Sequence, residues 1–402
     1  MLFKRILHSI LPHILIKYFK HLRLVYYKST GCKLKLITDP KKSLEVVCKI
    51  KDATWEDSYY PECYGHCKEQ HLSVFTKEEY IFKASDAIVC NDSDVVITNE
   101  GVYWDKFNNE EFITWADPAD RNVISYSNNH IILKKNKKNK YISGNVLSLL
   151  GVWAYHWGHC MYQFLPKLFA AGEAGLLDNP ITVLLPHNED KTIIDIVIRY
   201  LESFPNTKIV YAYDDIDYTC EALYFMPSPG SNFNNPLYRL DYPYYISKHV
   251  LDKIKKYVVN PIIEKVKDNK PKYEKIYLSR KGKRTAINLK EIDEFILRQG
   301  FVEIEGASLT LEQKADIFYH AKEIVGMYGS GFLNLIFCNK VKALVFTNYR
   351  MSTDTSIYIQ IREYVADLIN ITGQDESSDY HSSTYYPLEK VIAAYNERIK
   401  TV

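Results

Sequence analysis

The chain contains 402 residues with a formal net charge of +2, and 47% of its residues are hydrophobic. This length allows two domains with separate cores, and the near-neutral charge argues against a nucleic-acid-binding protein. The 33 tyrosines would suit stacking on sugars or bases, although a coding sequence of low GC content would produce the same excess. The eight cysteines form no pattern typical of disulfide-bonded proteins, so we expect free thiols in a reducing compartment.

Residues 1–38 form a basic segment that contains no Asp or Glu, and its apolar residues recur at helical spacing. Because no apolar run is long enough to span a bilayer and no small-residue cleavage site is present, we expect neither a membrane span nor a secretory signal. A basic amphipathic segment can lie on an anionic membrane surface. The alternative is a helix docked on the rest of the protein, and the sequence leaves both open.

Residues 39–259 are predicted to form an N-terminal domain that begins with a strand-rich portion. As far as residue 150, short apolar runs are separated by Gly, Asn and Asp, a pattern typical of antiparallel hairpins. Four residues in this portion are spaced closely enough to bind zinc, namely Cys63, His66, Cys67 and His71. Structural zinc sites more often have two separated pairs of ligands, so unligated thiols and imidazoles are the alternative.

Beyond residue 150, apolar strands alternate with helices, which predicts βαβ units and a parallel sheet. The helices are expected at 155–172, 191–204 and 241–259, with Pro261 ending the last of them. Residues 260–272 contain two prolines and several charges and are predicted to link two domains.

Residues 273–386 are predicted to form a C-terminal domain built from further βαβ units. Two of its helices are expected to begin with capping boxes, which pair Asn288 with Glu291 and Thr310 with Gln313. A further helix is expected at 356–368. The last helix, within residues 387–402, is a candidate to cross back to the first domain.

One predicted helix carries a polar stripe on an otherwise apolar surface. The members of this stripe are His156, His159, Cys160, Gln163 and Lys167. A solvated face would favour Lys and Glu, whereas two imidazoles suit a cleft in which a neutral histidine accepts a proton from a hydroxyl group. We therefore take His159, supported by His156 and Gln163, as the candidate catalytic group, and an ordinary solvated face is the alternative.

A cluster of cations follows the first apolar strand of the C-terminal domain. Its members are Arg280, Lys281, Lys283 and Arg284. Charge-assisted hydrogen bonds from such groups suit a diphosphate and contribute about 1.5–3 kcal/mol each. The cluster predicts a site that holds a diphosphate and stabilises it as a leaving group. A solvated basic loop is the alternative.

A glycine-rich turn follows another apolar strand of the same domain. Gly329-Ser330-Gly331 is predicted to open a helix, so that backbone N–H groups at the positive end of the helix dipole face an anion. A dinucleotide-binding motif would have a third glycine where this chain has Asn334, which disfavours NAD. Two strand ends with anion-binding groups therefore predict a site for a phosphorylated ligand.

Three blocks of sequence together resemble glycosyltransferase family 61, and the similarity extends over roughly residues 95–370. The blocks begin at His156-Trp-Gly-His159, at Ile276-Tyr-Leu-Ser-Arg280 and at Leu309, the last ending in Gly-Met-Tyr-Gly-Ser-Gly-Phe-Leu-Asn334. They are similar to the family patterns N-x-x-H-x-x-x-D-x-L-P-R-L, Y-[IL]-S-R and G-x-H-G-A-G-L-x-N. Gln163 stands where the first pattern has Asp, and Tyr328 stands where the last has His.

The resemblance implies a GT-B-like α/β fold, with two Rossmann-like domains facing a cleft, and an inverting transfer of a sugar from a nucleotide-sugar donor. It also implies that the enzyme needs no cofactor and no metal ion. The C-terminal domain would bind the donor and the N-terminal domain the acceptor. The residues that the resemblance and the motifs place at the donor are Arg280, Lys281, Arg284, Asn288, Tyr328, Gly329, Ser330, Gly331 and Asn334.

The implied partners are a nucleotide-sugar donor and a glycan or lipid-linked glycan acceptor, with no nucleic acid. The chain resembles bacterial members found with capsule, O-antigen or other surface-polysaccharide synthesis, so we expect a cytoplasmic protein, peripheral on the inner face of the plasma membrane. One alternative is a binding module for nucleotide sugars or glycans without turnover. Another is a metal-dependent GT-A transferase, because Asp92-Ser-Asp94 and Asp215-Ile-Asp217 match the D-x-D pattern that holds a divalent metal in some sugar transferases.

Overall fold

The computed structural model describes residues 31–60, 62–104, 120–136, 138–187, 191–229, 246–280, 282–306, 309–348, 364–374 and 382–400. It is a mixed α/β protein, as predicted. The strands are β1 (Cys32–Lys35), β2 (Glu45–Lys51), β3 (Thr54–Tyr60), β4 (Glu62–Cys63), β5 (Gln70–Thr76), β6 (Glu79–Cys90), β7 (Val95–Thr98), β8 (Gly101–Trp104), β9 (Val123–Tyr126), β10 (His130–Leu133), β11 (Lys138–Ser148), β12 (Ile181–Pro186), β13 (Thr207–Ala212), β14 (Ile216–Phe225), β15 (Lys275–Leu278), β16 (Val302–Glu303), β17 (Glu323–Met327), β18 (Val341–Thr347) and β19 (Val365–Thr372).

The α-helices are α1 (Pro40–Ser43), α2 (Trp157–His159), α3 (Leu165–Glu173), α4 (Lys191–Leu201), α5 (Lys248–Ile254), α6 (Asn260–Val266), α7 (Leu289–Arg298), α8 (Leu311–His320) and α9 (Leu388–Ala394). Three π-helical turns extend them, at Cys160–Phe164, Lys255–Val259 and Tyr395–Ile399. Two 3₁₀-helices lie at Leu176–Asp178 and Ser330–Phe337. Most of the predicted basic segment, residues 1–30, lies outside the described residues, and its end forms β1.

An eight-stranded mixed sheet contains most strands of the N-terminal half. Its order is β13-β12-β11-β14-β6-β7-β8, and β2 also pairs with β6. The pairs from β13 to β14 are parallel, whereas β14 pairs antiparallel with β6. The predicted antiparallel portion and the predicted parallel portion therefore belong to one sheet. The sequence did not predict β11, because the exposed, lysine-rich first half of this strand lacks an apolar run.

A six-stranded parallel sheet forms the centre of the C-terminal half. Its order is β16-β15-β17-β18-β19-β4. If the strands β15 to β19 are numbered 1 to 5 in chain order, they stand across the sheet in the order 2-1-3-4-5. This is a doubly wound arrangement, in which the order of the strands reverses between β15 and β17. Ligands of open parallel sheets bind outside the carboxyl ends of the strands at this reversal. The fold therefore points to the crevice beyond Leu278 and Met327.

The six-stranded sheet is buried on both faces, which explains why its strands are continuous apolar runs in the sequence. Tyr277 and Val325 belong to a core cluster on one face. Ile276 and Ile324 belong to a larger cluster on the other face, and this cluster also contains Val183 of the eight-stranded sheet. The hydrophobic core is therefore continuous between the two sheets.

The helix before Pro261 does not end there, contrary to the prediction. α5 continues through the π-helical turn at Lys255–Val259 into α6, which has Pro261 in its first turn. The N–H of Asn260 donates to the oxygen of Lys255 across this wider turn. The helix therefore continues through Pro261, which has no backbone N–H to donate. Residues 260–266 of the predicted linker are consequently helical.

One of the two predicted capping boxes is confirmed. Thr310 Oγ1 accepts a hydrogen bond from the N–H of Gln313 at 3.2 Å, and Gln313 Oε1 accepts one from the N–H of Thr310 at 2.9 Å. The box at Asn288 is wrong. Asn288 Nδ2 donates to the backbone oxygen of Tyr386 at 2.8 Å and Oδ1 accepts from its N–H at 3.1 Å, so α7 begins without a side-chain cap.

The predicted helix at 356–368 is wrong at its end, because Val365–Thr372 forms the buried strand β19. Short apolar runs of this kind cannot be assigned to helix or strand by periodicity alone. Residues 349–363, which include the rest of that prediction, lie outside the described residues. The helix predicted near the C-terminus is confirmed as α9 and packs on the six-stranded sheet, where Arg398 pairs with Glu62 of β4 at 2.9 Å.

Within the described residues, no helix combines the length and the apolar character needed to span a bilayer. The mixed α/β class is confirmed, and the finer GT-B arrangement stays a prediction.

Candidate active site

Arg280 follows β15. It lies at the carboxyl edge of the six-stranded sheet, where the order of the strands reverses between β15 and β17. Its Nη1 donates a hydrogen bond to the backbone oxygen of Tyr328 at 3.3 Å, and its Nε donates to that of Lys283 at 2.9 Å. The hydroxyl of Thr285 donates to the backbone oxygen of Arg280 at 3.2 Å. These bonds hold the half-buried guanidinium against the end of β17, so Arg280 does not belong to a freely solvated loop.

Gly329 lies directly under this guanidinium. Its backbone is extended, with φ 168° and ψ −177°, so its conformation alone would not require glycine. A Cβ atom at this position, however, would lie 2.4 Å from Nη1 of Arg280. Glycine is therefore needed for the close approach of the cation, and Arg280 and the glycine turn (residues 329–331) form one surface.

The glycine turn opens a 3₁₀-helix rather than the predicted α-helix. This helix, Ser330–Phe337, begins with an exposed serine, and its residues from Phe332 onward are buried. Asn334 Nδ2 donates to the backbone oxygen of Gly331 at 3.0 Å, which ties the side chain into the first turn. The N–H of Phe332 already donates to the oxygen of Gly329, so the N–H groups of Ser330 and Gly331 ahead of it are the ones suited to binding an anion.

The histidine helix (residues 157–173) consists of α2, the π-helical turn at Cys160–Phe164 and α3. The wider turn shifts the phase of the predicted polar stripe. Lys167, which follows this turn, is consequently buried, and Cys160, where the turn begins, is buried as well; 5% of each residue is exposed. The predicted polar face therefore does not hold as a whole, and only part of it remains at the surface.

His159 and Gln163 are the half-buried members of the stripe and contact each other. His159 Nδ1 lies 2.9 Å from Gln163 Oε1. An amide oxygen only accepts hydrogen bonds, so in this contact Nδ1 carries a proton and donates it to Oε1. The ring of Trp153 packs on the imidazole, with ring centroids 4.9 Å apart. The imidazole is thus held on two sides.

Gly158 brings the histidine helix onto the 3₁₀-helix. A Cβ atom at this position would lie 2.5 Å from Cδ1 of Leu333 and 3.7 Å from Cβ of Ser330. Near this contact, the hydroxyl of Tyr162 donates to the backbone oxygen of Leu333 at 3.1 Å. The structure therefore packs the helix that carries His159 against the 3₁₀-helix that begins at the glycine turn, two elements that the sequence had placed in separate motifs.

His156 precedes the histidine helix and is exposed along one edge. Its ring packs against Tyr155 with centroids 4.4 Å apart. Partial burial lowers the pKa of His156 because it disfavours the charged imidazolium, and the negative charge of Asp92 opposes this effect. His156 is therefore neutral at physiological pH.

The other predicted donor-binding residues are placed less directly. Asn288 uses both ends of its amide on backbone groups of the C-terminal region. The side chains of Tyr328 and Asn334 are buried, so Tyr328 meets the crevice through its backbone oxygen. Arg284 is half-buried with a positive φ of 60°. Lys281 lies outside the described residues.

Asp92 and Asp94 hold the loop that leads into the histidine helix. Asp92 Oδ1 accepts a hydrogen bond from the N–H of Trp153 at 3.0 Å, and Asp94 Oδ1 accepts one from the N–H of Val152 at 3.2 Å. Asp92 Oδ2 pairs with Nε of Arg121 at 3.2 Å, and burial raises the pKa of the Asp92 carboxyl. The sequence singled out both aspartates only as an alternative metal site, because no local pattern reveals a contact with residues some sixty positions away.

No group of three His, Cys, Asp or Glu residues is arranged to hold a metal ion in the part of the chain that the structure describes. The four candidate zinc ligands do not converge. Cys63 and Cys67 face each other across a turn as free thiols, and burial raises the pKa of Cys63 to about 12. In the second D-x-D motif, Asp215 pairs with Lys134 at 2.7 Å.

A comparison with known families finds a match for the part of the chain that contains this site. Residues 157–345 match the family described as Glycosyltransferase 61. The matched region contains the histidine helix, Arg280 and the glycine turn, so the resemblance to glycosyltransferase family 61 is confirmed for this region. The match supports a glycosyltransferase, which takes a sugar from a donor to an acceptor. No curated protein matches the chain.

Proposed function

We propose that the protein is an inverting glycosyltransferase that moves a sugar from a nucleotide-sugar donor to a hydroxyl group of a glycan or lipid-linked glycan. The observation that carries this proposal is the contact of Gly158 with Ser330 and Leu333, beside Arg280. This contact supports a site in which His159 acts beside a surface suited to a diphosphate. Acceptor activation and leaving-group stabilisation would then occur at one site.

On the donor side, the diphosphate occupies the crevice beyond β15 and β17. Arg280 donates charge-assisted hydrogen bonds to the phosphate oxygens, and the first N–H groups of the glycine turn add further donors. Negative charge grows on the leaving phosphate as its bond to the sugar breaks. Fixed donors aimed at that charge lower the barrier, and in this proposal they take the part that a metal ion plays in other transferases.

On the acceptor side, Nε2 of His159 takes the proton of the attacking hydroxyl group. The acceptor oxygen forms a bond to the anomeric carbon while the bond from that carbon to the phosphate oxygen breaks on the opposite face. The products are the lengthened glycan and a nucleoside diphosphate, and the proton remains on His159 until solvent removes it. Gln163 keeps the productive tautomer by accepting from Nδ1.

The wider proposal follows the resemblance. The two sheets would form the halves of a GT-B arrangement with the acceptor held by the N-terminal half. The acceptor would belong to capsule, O-antigen or another surface polysaccharide, and residues 1–38 would contact an anionic membrane at the inner face of the plasma membrane. The basic, acid-free composition of residues 1–38 supports this location.

The test measures release of nucleoside diphosphate from a panel of UDP-, GDP- and dTDP-sugars, in the presence of mono- and oligosaccharide acceptors. We expect one donor to support turnover, and His159→Ala to lower it by about 10²- to 10⁴-fold, the usual contribution of a general base. The control is His130→Ala, at an exposed position on β10. A donor that binds tightly but is never consumed with any acceptor would favour a binding module and contradict the transferase.

A further inference from the structure

We propose that Asp92 is a positioning residue for His159, acting through Trp153. This inference rests on the proposed function, in which His159 accepts the proton of the acceptor. Asp92 fixes the backbone of Trp153, and the indole of Trp153 in turn fixes the imidazole. The aspartate motif would then serve catalysis from a distance, without touching the substrate.

Both oxygens of Asp92 are engaged within the protein. Oδ1 accepts the N–H of Trp153 at 3.0 Å, and Oδ2 faces Nε of Arg121 at 3.2 Å. The residue is only 5% exposed. A buried carboxylate is costly unless hydrogen bonds and a countercharge satisfy it, and Asp92 has both. It is therefore built to hold protein groups in place rather than to receive a ligand.

The loop that Asp92 holds has a conformation that needs support. Trp153 has a φ of 63°, in the left-handed region that non-glycine residues rarely adopt. Next to it, the N–H of Val152 donates to Asp94 Oδ1. Gly151 has no space for a side chain, since a Cβ atom would lie 2.6 Å from Asp94 Oδ1. Bulky residues persist in such conformations only when their surroundings determine them.

The strained residue carries the ring that contacts the candidate base. The rings of Trp153 and His159 are 4.9 Å apart at an interplanar angle of 50°. Gln163 bonds the imidazole from the next turn of the helix. The direction of Nε2 therefore depends on the position of Trp153, and that position depends on the hydrogen bond to Asp92.

A second contact region ties the same aspartate motif to the histidine helix. Asp94 and Lys167 both line a cavity of about 20 Å³, which has room for a single water molecule. Lys167 lies two turns beyond His159 and is 5% exposed. The loop after β6, which carries Asp92 and Asp94, thus holds the backbone of Val152 and Trp153 just before the histidine helix. It meets the helix again around this cavity.

The experiment compares Asp92→Ala, Asp92→Asn and Asp214→Asn. Asn retains an acceptor for the N–H of Trp153, whereas Ala removes it. Asp214 is the control, because its exposed carboxylate also faces Arg121, at 3.9 Å, while its other oxygen accepts from Asn91 Nδ2, a bond for which Asn retains the acceptor. The readouts are kcat, the affinity for the nucleoside diphosphate, and the NMR signals of the His159 ring, which sense the ring current of Trp153.

We expect Asp92→Ala to shift the His159 signals and to lower kcat by about 10- to 100-fold, as misplaced catalytic groups do, with unchanged nucleotide affinity. Asp92→Asn should retain most of the activity, and Asp214→Asn all of it. Unshifted His159 signals in Asp92→Ala, or equal losses in the Asn and Ala variants, would overturn the proposal.

If Asp92→Ala does not fold, Trp153→Asn provides the second variant, because Asn tolerates a positive φ but has no indole. Its His159 signals should shift and its kcat should fall as in Asp92→Ala, and unchanged values would overturn the proposal. The NMR arm needs no turnover. A wild-type protein without transferase activity would therefore contradict the proposed function, while the His159 signals would still decide whether Asp92 positions the ring.

Discussion

The guanidinium of Arg280 donates through Nη1 to the backbone oxygen of Tyr328 at 3.3 Å. This one bond connects the ends of β15 and β17. These are the two strands between which the strand order of the six-stranded sheet reverses. It holds a cation directly over Gly329, where an added Cβ atom would lie 2.4 Å from Nη1 and displace the guanidinium. The carboxyl ends of the strands therefore carry a preformed positive surface at the place where doubly wound sheets bind their ligands.

Gly329→Ala should weaken the binding of nucleoside diphosphates by at least about tenfold, because displacing a charge-assisted contact costs 1.5 kcal/mol or more. The added Cβ would lie 2.4 Å from Nη1 of Arg280, so the guanidinium must move. Calorimetric titration with UDP and GDP measures the change. Gly306→Ala is the matched control, since a Cβ there would approach nothing closer than 4.0 Å. Equal affinities for Gly329→Ala and wild type would contradict this account of the glycine.

Gln163→Glu should move the acid limb of the pH–rate profile upward by about one pH unit, because a carboxylate beside Nδ1 stabilises the protonated imidazole. His159 must be neutral to accept a proton, so the variant should lose activity at a higher pH than the wild type does. The measurement is kcat against pH between 5 and 9. Gln299→Glu, in the turn after α7, should leave the profile unchanged, and an unmoved acid limb in Gln163→Glu would argue that the two side chains are not coupled.

Tyr162→Phe should lower the free energy of unfolding by about 1 kcal/mol, because the buried backbone oxygen of Leu333 loses its donor. The hydroxyl of Tyr162 joins the histidine helix to the 3₁₀-helix, so nucleotide binding should also become weaker or slower. Urea unfolding measures the stability term. Tyr141→Phe, at a ring that is 58% exposed, serves as the control and should change little.

The parallel sheet, the confirmed capping box and the existence of most helices could be predicted from the sequence, because each leaves a local signal. Apolar runs mark the strands buried on both faces, and Thr310 with Gln313 marks a helix start. The shape of the histidine helix could not be predicted. A π-helical turn changes the phase of every later residue, so a polar stripe drawn at ordinary helical spacing places Lys167 wrongly at the surface.

The contacts that build the candidate site could not be predicted either, because they join residues that lie far apart in the sequence. The sequence suggested Arg280 and Gly329 separately, and the resemblance grouped them, but no pattern showed that a guanidinium needs the space a glycine leaves. Asp92 was noticed only as part of a D-x-D pattern that offered an alternative metal site. Its partner Trp153 lies 61 positions away, and only the pairing of strands from distant parts of the chain brings the two together.

Glu173→Gln should destabilise the protein at pH 7 by about 1–2 kcal/mol, a range reduced for the partial exposure of the carboxylate. Burial alone would raise the pKa of Glu173, but hydrogen bonds from Lys253, Tyr257 and Lys256 lower it to about 2. A lowered carboxyl pKa stabilises the folded state above the usual pKa of about 4.5, and this stability is lost as the pH falls toward 2.

The free energy of unfolding of Glu173→Gln should therefore fall short of the wild-type value by the whole amount at pH 7, and this gap should shrink as the pH falls below about 4.5. Urea unfolding at pH 7, 5 and 4 measures it. The matched control is Glu264→Gln, which removes an exposed partner of Lys267 and should cost well under 1 kcal/mol. A gap in the free energy of unfolding that grew as the pH fell would contradict a lowered pKa for Glu173 in the folded protein.

The central claim is that Arg280 and the glycine turn together hold the diphosphate of the donor. The most direct test is calorimetric titration of wild type, Arg280→Ala and the exposed-arginine control Arg298→Ala with UDP, GDP and dTDP. We predict that at least one nucleotide binds the wild type and Arg298→Ala alike, and that Arg280→Ala weakens that binding by about 10- to 150-fold. Equal affinity in Arg280→Ala would contradict the claim.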